Sequence, residues 1–360
     1  MKNDNDNDND KSGSGDSICI RTKVSGLTTT YVVDCGYEGT HKKVLNHFEK
    51  YYENPESIDK VVLTHPDQDH ASGMESLIKS DDISINEIWM LCPWDYVSEI
   101  VGKVSTIHTE KSIENSLKEK YPYVLKIENA AKEKGIPIYS PFQGSKIGEF
   151  EVLYPSKAEY IDLLVDSAKK PFIKKKVCNE ALENITDCFS NFISMIRSEW
   201  GKEKLDGGVT SCENEMSVVH FADIQGRKIL LTGDVGVKGL ESAANYLEND
   251  KLVSLPGVNV FQSPHHGAKR NVSSALLDRW IGPKKDHQND ASDTQISAIA
   301  SASDKDKKHP RKEVIRALIH RGASVVTTEN GDVCIRANAP HRDGWGPISG
   351  LEYPCETEKD

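Results

Sequence analysis

The chain has 360 residues, 37% of them apolar, and a formal net charge of −11. That length permits one large core or two smaller ones. The acidic balance excludes a protein that coats nucleic acid through bulk charge, though a local basic track is compatible with it. No apolar run approaches the ~18 residues of a spanning helix, so no membrane association is expected.

Residues 1–14 alternate Asn and Asp from Asn3 to Asp10 and predict a disordered acidic arm, too polar to pack. A calcium loop is disfavoured there, because the Gly and terminal Glu of an EF-hand are missing. Ordered structure is expected over 15–340, with strands and helices alternating as in an α/β protein. Ile18 to Thr22 and Thr29 to Val33 predict paired strands, and His41 to Tyr52 a helix with Val44, Phe48 and Tyr51 on one face. Val61 to Thr64 predicts a short buried strand, Gly73 to Lys79 a helix, and Glu87 to Leu91 another strand. Residues 97–135 read as mostly helical. Ile136 to Tyr139 reads as an edge strand, because Pro137 cannot donate to a ladder. Glu149 to Tyr154 returns to strand.

Residues 157–210 are charged and rich in Lys and Glu, and predict a helical insertion. Met216 to Ala222 and Lys228 to Leu231 predict strands around a Gln225-Gly226 turn. Asn259 to Gln262, Ile296 to Ala300 and Ser324 to Thr328 are further strands, the last two separated by a helix at Arg311 to Arg321. Residues 341–360 form a tail that either packs back on the core or serves a partner. Eight cysteines (19, 35, 92, 178, 188, 212, 334 and 355) contain no CxxC pair and read as reduced thiols. With a polar N-terminus that shows no signal peptide, the expectation is a cytoplasmic protein.

Three predicted strands stop at residues able to bind metal. The first runs into Thr64-His65-Pro66-Asp67-Gln68-Asp69-His70, the second into Thr232-Gly233-Asp234, the third into Ser263-Pro264-His265-His266-Gly267. Strand ends of an α/β sheet converge on one rim. Clustered carboxylates repel one another and call for a cation; His supplies nitrogen and Asp oxygen to one. Taken singly, Asp234 would read as a helix N-cap and His265-His266 as a polar loop. Three such coincidences in one chain favour a metal site.

The three blocks resemble those of the metallo-β-lactamase fold, an αββα sandwich of metal hydrolases. They are closest to the HxDxDH, TGD and PHHG pattern of the ComEC-type competence-protein hydrolase domain and its stand-alone relatives. Gly15-Asp16-Ser17, Val33-Asp34-Cys35-Gly36, Asn214 with Ser217, His309-Pro310 and Arg321-Gly322-Ala323 also resemble family features. The resemblance implies that His65 and Asp67 hold one metal ion, that Asp69, His70 and His265 hold a second, and that Asp234 bridges them. Asp69, His266 and His309 are implied catalytic residues, with His266 behind the ligands or on the substrate and His309 a general acid or phosphate contact. Asn214 and Ser217 either orient substrate or support the metal loop. Lys269, after the His pair, is an implied substrate contact. Which of His265 and His266 ligates stays open.

Two departures bear on the metal. Asp67 stands where the commoner superfamily motif has His, and the superfamily's separate third-block His has no clear equivalent. His108 lies in a charged helical stretch and reads as surface; His220 lies mid-strand and reads as a satisfied interior or edge residue. The donor set is therefore rich in oxygen, which favours Mn²⁺ or Mg²⁺ over Zn²⁺. The implied function is a two-metal phosphodiesterase, a nuclease acting on DNA, with relatives that look like effectors of bacterial anti-phage systems and work beside a regulatory protein partner. Basic groups at Lys169 to Lys176, at Lys269-Arg270, and at Lys305, Lys307, Lys308, Arg311 and Lys312 could track a phosphate backbone or be solvated faces. The alternatives are hydrolysis of a small phosphodiester or nucleotide signal, and a non-catalytic binding module.

Overall fold

The computed structural model describes residues 14–104, 109–169, 195–197, 199–251, 253–291, 295–347 and 349–358. Fourteen strands are labelled in chain order: Ile18–Val24 (β1), Leu27–Val33 (β2), Ser57–Val62 (β3), Ser84–Trp89 (β4), Ile138–Tyr139 (β5), Lys146–Ile147 (β6), Phe150–Tyr154 (β7), Met195–Arg197 (β8), Val219–Ile224 (β9), Arg227–Leu231 (β10), Val260–Gln262 (β11), Ile296–Ala300 (β12), Ala323–Thr327 (β13) and Glu356–Glu358 (β14). They form a sheet ordered β1-β2-β3-β4-β5, a second ordered β13-β12-β11-β10-β9-β7-β6, and a small pair β14-β8.

Period-two patterning makes the sandwich. In β2, Tyr31 and Val33 point into a core between the sheets with Val62, Phe150, Val152, Val218, Ala222 and Leu231, while Val32 turns to the opposite face. On that face helices Thr40–Tyr51, Met74–Lys79 and Pro122–Lys134 cover the first sheet through Val44, Phe48, Leu77, Val124 and Ile127. Helices Val237–Asn249, Ser274–Trp280 and Lys312–His320 cover the second through Leu240, Leu277, Trp280, Val314 and Leu318. Helix, sheet, sheet and helix thus stack as the sequence led one to expect. The β9–β10 hairpin turns at Gln225 and Gly226, both at positive φ (54° and 81°), the conformation that lets a two-residue loop match strand twist.

Several boundaries differ from the sequence-based expectation. Ser14, assigned to the arm, is buried, and residues 1–13 lie outside the described residues. Residues 157–169, expected to open the helical insertion, form helix Lys157–Lys169, which buries Tyr160, Ile161, Leu164 and Val165 in the first core. Charge on its outer face masked that apolar stripe. Residues 199–206 are irregular rather than helical, and Glu203 anchors them by accepting from His320 Nδ1 at 2.6 Å and Arg321 Nη1 at 2.8 Å. The Lys170–Lys176 part of the basic run, His108, Cys178 and Cys188 lie outside the described residues. The tail packs back on the fold: Glu356–Glu358 pairs with β8, and Leu351 N donates to Val325 O at 2.7 Å.

His220 is interior but not satisfied. It is 1% exposed, its neighbours are the apolar inter-sheet side chains, and neither ring nitrogen has a hydrogen-bond partner. Burial lowers its pKa to about 4. An unfolded chain takes up this proton near pH 6.5 whereas the folded one refuses it until about pH 4, so His220 costs stability as pH falls through that window. We predict that His220→Leu is more stable than wild type by about 2 kcal/mol at pH 5, with the gap narrowing towards pH 8. Parallel denaturant-derived stability profiles for the two proteins across that range would contradict this.

Candidate metal centre

The C-terminal ends of β2, β3, β10, β11 and β12 open onto one crevice between the sheets, where Val218 N donates to Thr64 O at 3.0 Å. From the first sheet come Asp34, His65, Asp67, Asp69 and His70. From the second come Asp234, His265, His266 and, past β12, His309. Asp69, His70, Asp234 and His266 offer ligand atoms that all lie within 4.8 Å of one another.

Hydrogen bonds orient the imidazoles. Asp34 is 1% exposed and its carboxylate only accepts: from Thr64 N at 2.8 Å, Thr64 Oγ1 at 2.7 Å and His70 Nδ1 at 2.7 Å. His70 therefore carries a proton on Nδ1. Because Thr64 gives its hydroxyl proton to Asp34, Thr64 Oγ1 accepts from His65 Nδ1 at 3.0 Å. His266 Nδ1 donates to the Ser301 carbonyl at 2.7 Å. All three rings thus leave Nε2 for the crevice, as metal-bound histidines do.

Nε2 of His65, Nε2 of His70 and Oδ1 of Asp234 are buried without a hydrogen-bond partner. His70 Nε2 lies 3.3 Å from Asp234 Oδ1 and 3.8 Å from Asp69 Oδ2; His266 Nε2 lies 3.2 Å from Asp69 Oδ2; His65 Nε2 lies 3.7 Å from Asp234 Oδ2. Imidazole nitrogens facing carboxylates at these distances are held by a shared proton, as His266 Nε2 is to Asp69 Oδ2 at 3.2 Å, or by a cation between them. Two donors bound about 2.1 Å from one ion sit roughly 3.0–3.4 Å apart, close to the shorter of these spacings. The donor set fits a divalent metal. Burial alone would raise the Asp234 carboxyl, but His70, His266 and His65 override it and hold it well below the usual carboxylate range. Burial would likewise depress His70, yet Asp234 and Asp34 hold it well above its ordinary value. In the absence of metal, protons supply the positive charge.

The other sequence-derived residues have the following surroundings. Asp234 turns Oδ1 to His70 and Oδ2 to His65 and to His265 Nδ1, the last at 3.8 Å. Asp67 lies 3.9 Å from His65 Nε2 with its side chain 43% exposed. The close group contains His266, where the implied ligand was His265. His265 Nδ1 instead accepts from Asn214 Nδ2 at 2.7 Å, and Ser211 Oγ donating to Asn214 Oδ1 fixes that amide. Asn214 thus supports His265. Ser217 is fully buried and accepts from Asp234 N at 3.1 Å. His309 stacks on His265 with ring centroids 5.7 Å apart, and its Nδ1 donates to Asp306 Oδ2 at 3.0 Å. Lys269 Nζ pairs with the buried Glu313 at 2.8 Å.

Backbone conformation explains the His pair. His265 and His266 both have positive φ (49° and 57°), which costs a non-glycine residue about 1–3 kcal/mol. Gly267 must be glycine: at φ 86° a Cβ would stand 2.6 Å from Pro310 Cβ. Gly233 carries Asp234 past Thr64 and Ser217, whose Cβ atoms would lie 3.1 and 3.2 Å from an added Cβ. Asp16, Asp34, Thr64 and Gln262 were given no role from sequence. The available signal was an Asp directly at a strand end, in Val33-Asp34, and beside a predicted strand, in Gly15-Asp16.

Residues 14–89 match the metallo-beta-lactamase superfamily. The match spans β1 to β4 and carries Asp34 and the His65 to His70 cluster; the two-sheet α/β architecture agrees with that superfamily's fold. Among solved structures the chain is similar to the hydrolase AbOPH of the beta lactamase superfamily, at 13% identity over 57% of this chain and 52% of that one, with a TM-score of 0.28. It is also similar to CmlA, a diiron beta-hydroxylase from Streptomyces venezuelae, at 13% identity over 86% of this chain and 42% of that one, with a TM-score of 0.30. The chain thus spans about half the length of these solved structures. No curated protein matches it.

Asp34 is the test of the orienting network. Asp34→Ala frees His70 and Thr64 together, and metal affinity is expected to fall about 10- to 100-fold. Titration of Mn²⁺ into the folded variant checks this; unchanged affinity contradicts it.

Proposed function

We propose that this protein is a divalent-metal-dependent phosphodiesterase, with DNA as the leading substrate and Mn²⁺ or Mg²⁺ as the working ion. One observation carries the proposal: buried, partnerless Nε2 of His65, Nε2 of His70 and Oδ1 of Asp234 converge beside Asp69 and His266. A superfamily made up mostly of metal hydrolases supports it. Oxygen donors from Asp69, Asp234 and Asp67 suit hard ions, and hard ions suit phosphate oxygens. Asp69, His70, Asp234 and His266 would hold one ion; His65 and Asp67 lie where a second would share Asp234. When bound, the metal supplies a lowered water pKa and polarises the phosphoryl group. Asp69 would take up a proton, and His309, whose Nδ1 donates to Asp306 Oδ2 at 3.0 Å, would serve the leaving group.

Two observations favour a smaller substrate instead. Lys269 is engaged by Glu313 at 2.8 Å, and Arg311 lies 3.7 Å from Glu358, so these candidate backbone-tracking cations are already compensated. A small phosphodiester or nucleotide signal is the second reading. No helix among the described residues is long and apolar enough to cross a membrane, which is compatible with the cytoplasmic location we propose. A regulatory protein partner and a role in anti-phage defence belong to the same proposal through the ComEC-type resemblance.

Purified protein is expected to degrade plasmid DNA with Mn²⁺ and to lose at least ~10²-fold in rate as Asp69→Ala. Cleavage of bis-p-nitrophenyl phosphate or cyclic dinucleotides with intact DNA selects the second reading. Protein that binds no divalent ion, or that cuts equally well after the substitution, sinks both and leaves a binding module.

A further inference from the structure

The tripeptide Ser14-Gly15-Asp16 is threaded between the two halves of the crevice. Asp16 N donates to Asp69 O at 3.1 Å and Gly36 N to Asp16 O at 2.8 Å, both on the first-sheet side. Ser301 Oγ donates to Gly15 O at 3.2 Å, and Ser14 Oγ donates to Asp306 Oδ2 at 2.8 Å, both past β12 of the second. The fit leaves no room for a side chain at position 15, where a Cβ would stand 2.9 Å from Asp69 O.

Within this clamp the Asp16 carboxylate is 2% exposed. Oδ2 accepts from Gln262 Nε2 at 2.6 Å, and Oδ1 lies 3.3 Å from His266 Nδ1. Gln262 Oε1 in turn accepts from Thr232 N at 2.9 Å and Gly233 N at 3.3 Å, the two residues that lead into Asp234. A single amide side chain therefore fixes Asp16 and the Asp234 loop against each other. Asp16 meets the His266 ring on its Nδ1 side, away from the Nε2 that approaches Asp69. Its place is that of an orienting carboxylate rather than a ligand: it stands behind the His266 ring, whose Nδ1 proton goes to Ser301 O, as Asp34 stands behind the His70 ring.

We propose that Asp16 is a positioning residue of the metal centre: with the Ser301 carbonyl it keeps the proton on His266 Nδ1 and turns Nε2 towards Asp69, His70 and Asp234. The inference rests on the reading that a divalent ion occupies this group. It assigns work to the first described residues of the chain, beside a His266 that holds a left-handed backbone (φ 57°). The Asp16 carboxylate 3.3 Å from Nδ1 adds negative charge behind the ring, which makes Nε2 the more basic ligand.

Calorimetric titration of Mn²⁺ into full-length wild type and Asp16→Asn, with thermal melting in chelator as the folding control, tests the proposal. Asp16→Asn is expected to melt close to wild type without metal and to bind Mn²⁺ about 10- to 100-fold more weakly, because the amide keeps the packing but loses the charge. A folded Asp16→Asn that binds Mn²⁺ as tightly as wild type overturns the inference and leaves the metal reading standing. Wild type that binds no Mn²⁺, Mg²⁺ or Zn²⁺ overturns both. If the variant does not fold, nitrogen NMR of wild type with Zn²⁺ as a diamagnetic probe decides. His266 must then retain its proton on Nδ1, and a deprotonated Nδ1 overturns the proposal.

Discussion

A buried carboxylate is tolerated only when positive charge stands beside it, and Asp234 sets that condition for the whole crevice. It is 2% exposed, sits at the end of a central strand, and faces three imidazoles. Everything near it answers this demand. His70 and His65 approach from the first sheet with Nε2 forward. Asp34 and Thr64 hold those rings by their rear nitrogens, and Asn271 Nδ2 and Ser217 Oγ fix the backbone on either side of the Asp234 side chain. Removing the charge would leave a cluster of donors and acceptors with nothing to hold; supplying a cation satisfies all of them at once.

Much of the frame was legible in the sequence because its signals are local. Tyr31-Val32-Val33 alternates faces, Pro137 keeps its strand at the sheet edge, and Gln225-Gly226 marks a hairpin. The strand-end blocks around His65, Asp234 and His265 converge because parallel strands share one C-terminal rim. These inferences need no knowledge of which side chain meets which.

What escaped the sequence depends on contacts between distant segments. Nothing in His265-His266 says which ring joins Asp69 and His70 in the close group; both residues are left-handed, and a Cβ at Gly267 would meet Pro310. The stripe of Tyr160, Ile161, Leu164 and Val165 was hidden among the charged residues Lys157, Glu159, Asp162, Asp166 and Lys169 of its helix. His220 looked satisfiable in its own strand, whereas its neighbours Phe150, Val152 and Leu231 come from the adjoining strands β7 and β10 and are all apolar. Asp16 adjoins a segment that composition marks as unstructured, and its role appears only where β11 and the Asp69 loop meet it.

The left-handed pair His265-His266 also sets a limit on how stable this fold can become. Glycine at either position would relieve the backbone, since only glycine adopts positive φ without penalty. The change most favourable to the polypeptide would therefore erase an imidazole from the crevice. Selection for robustness alone would drift away from histidine here, so retaining it records a standing conflict between folding and chemistry. A search for stabilised variants should avoid these two positions however strongly the backbone invites substitution.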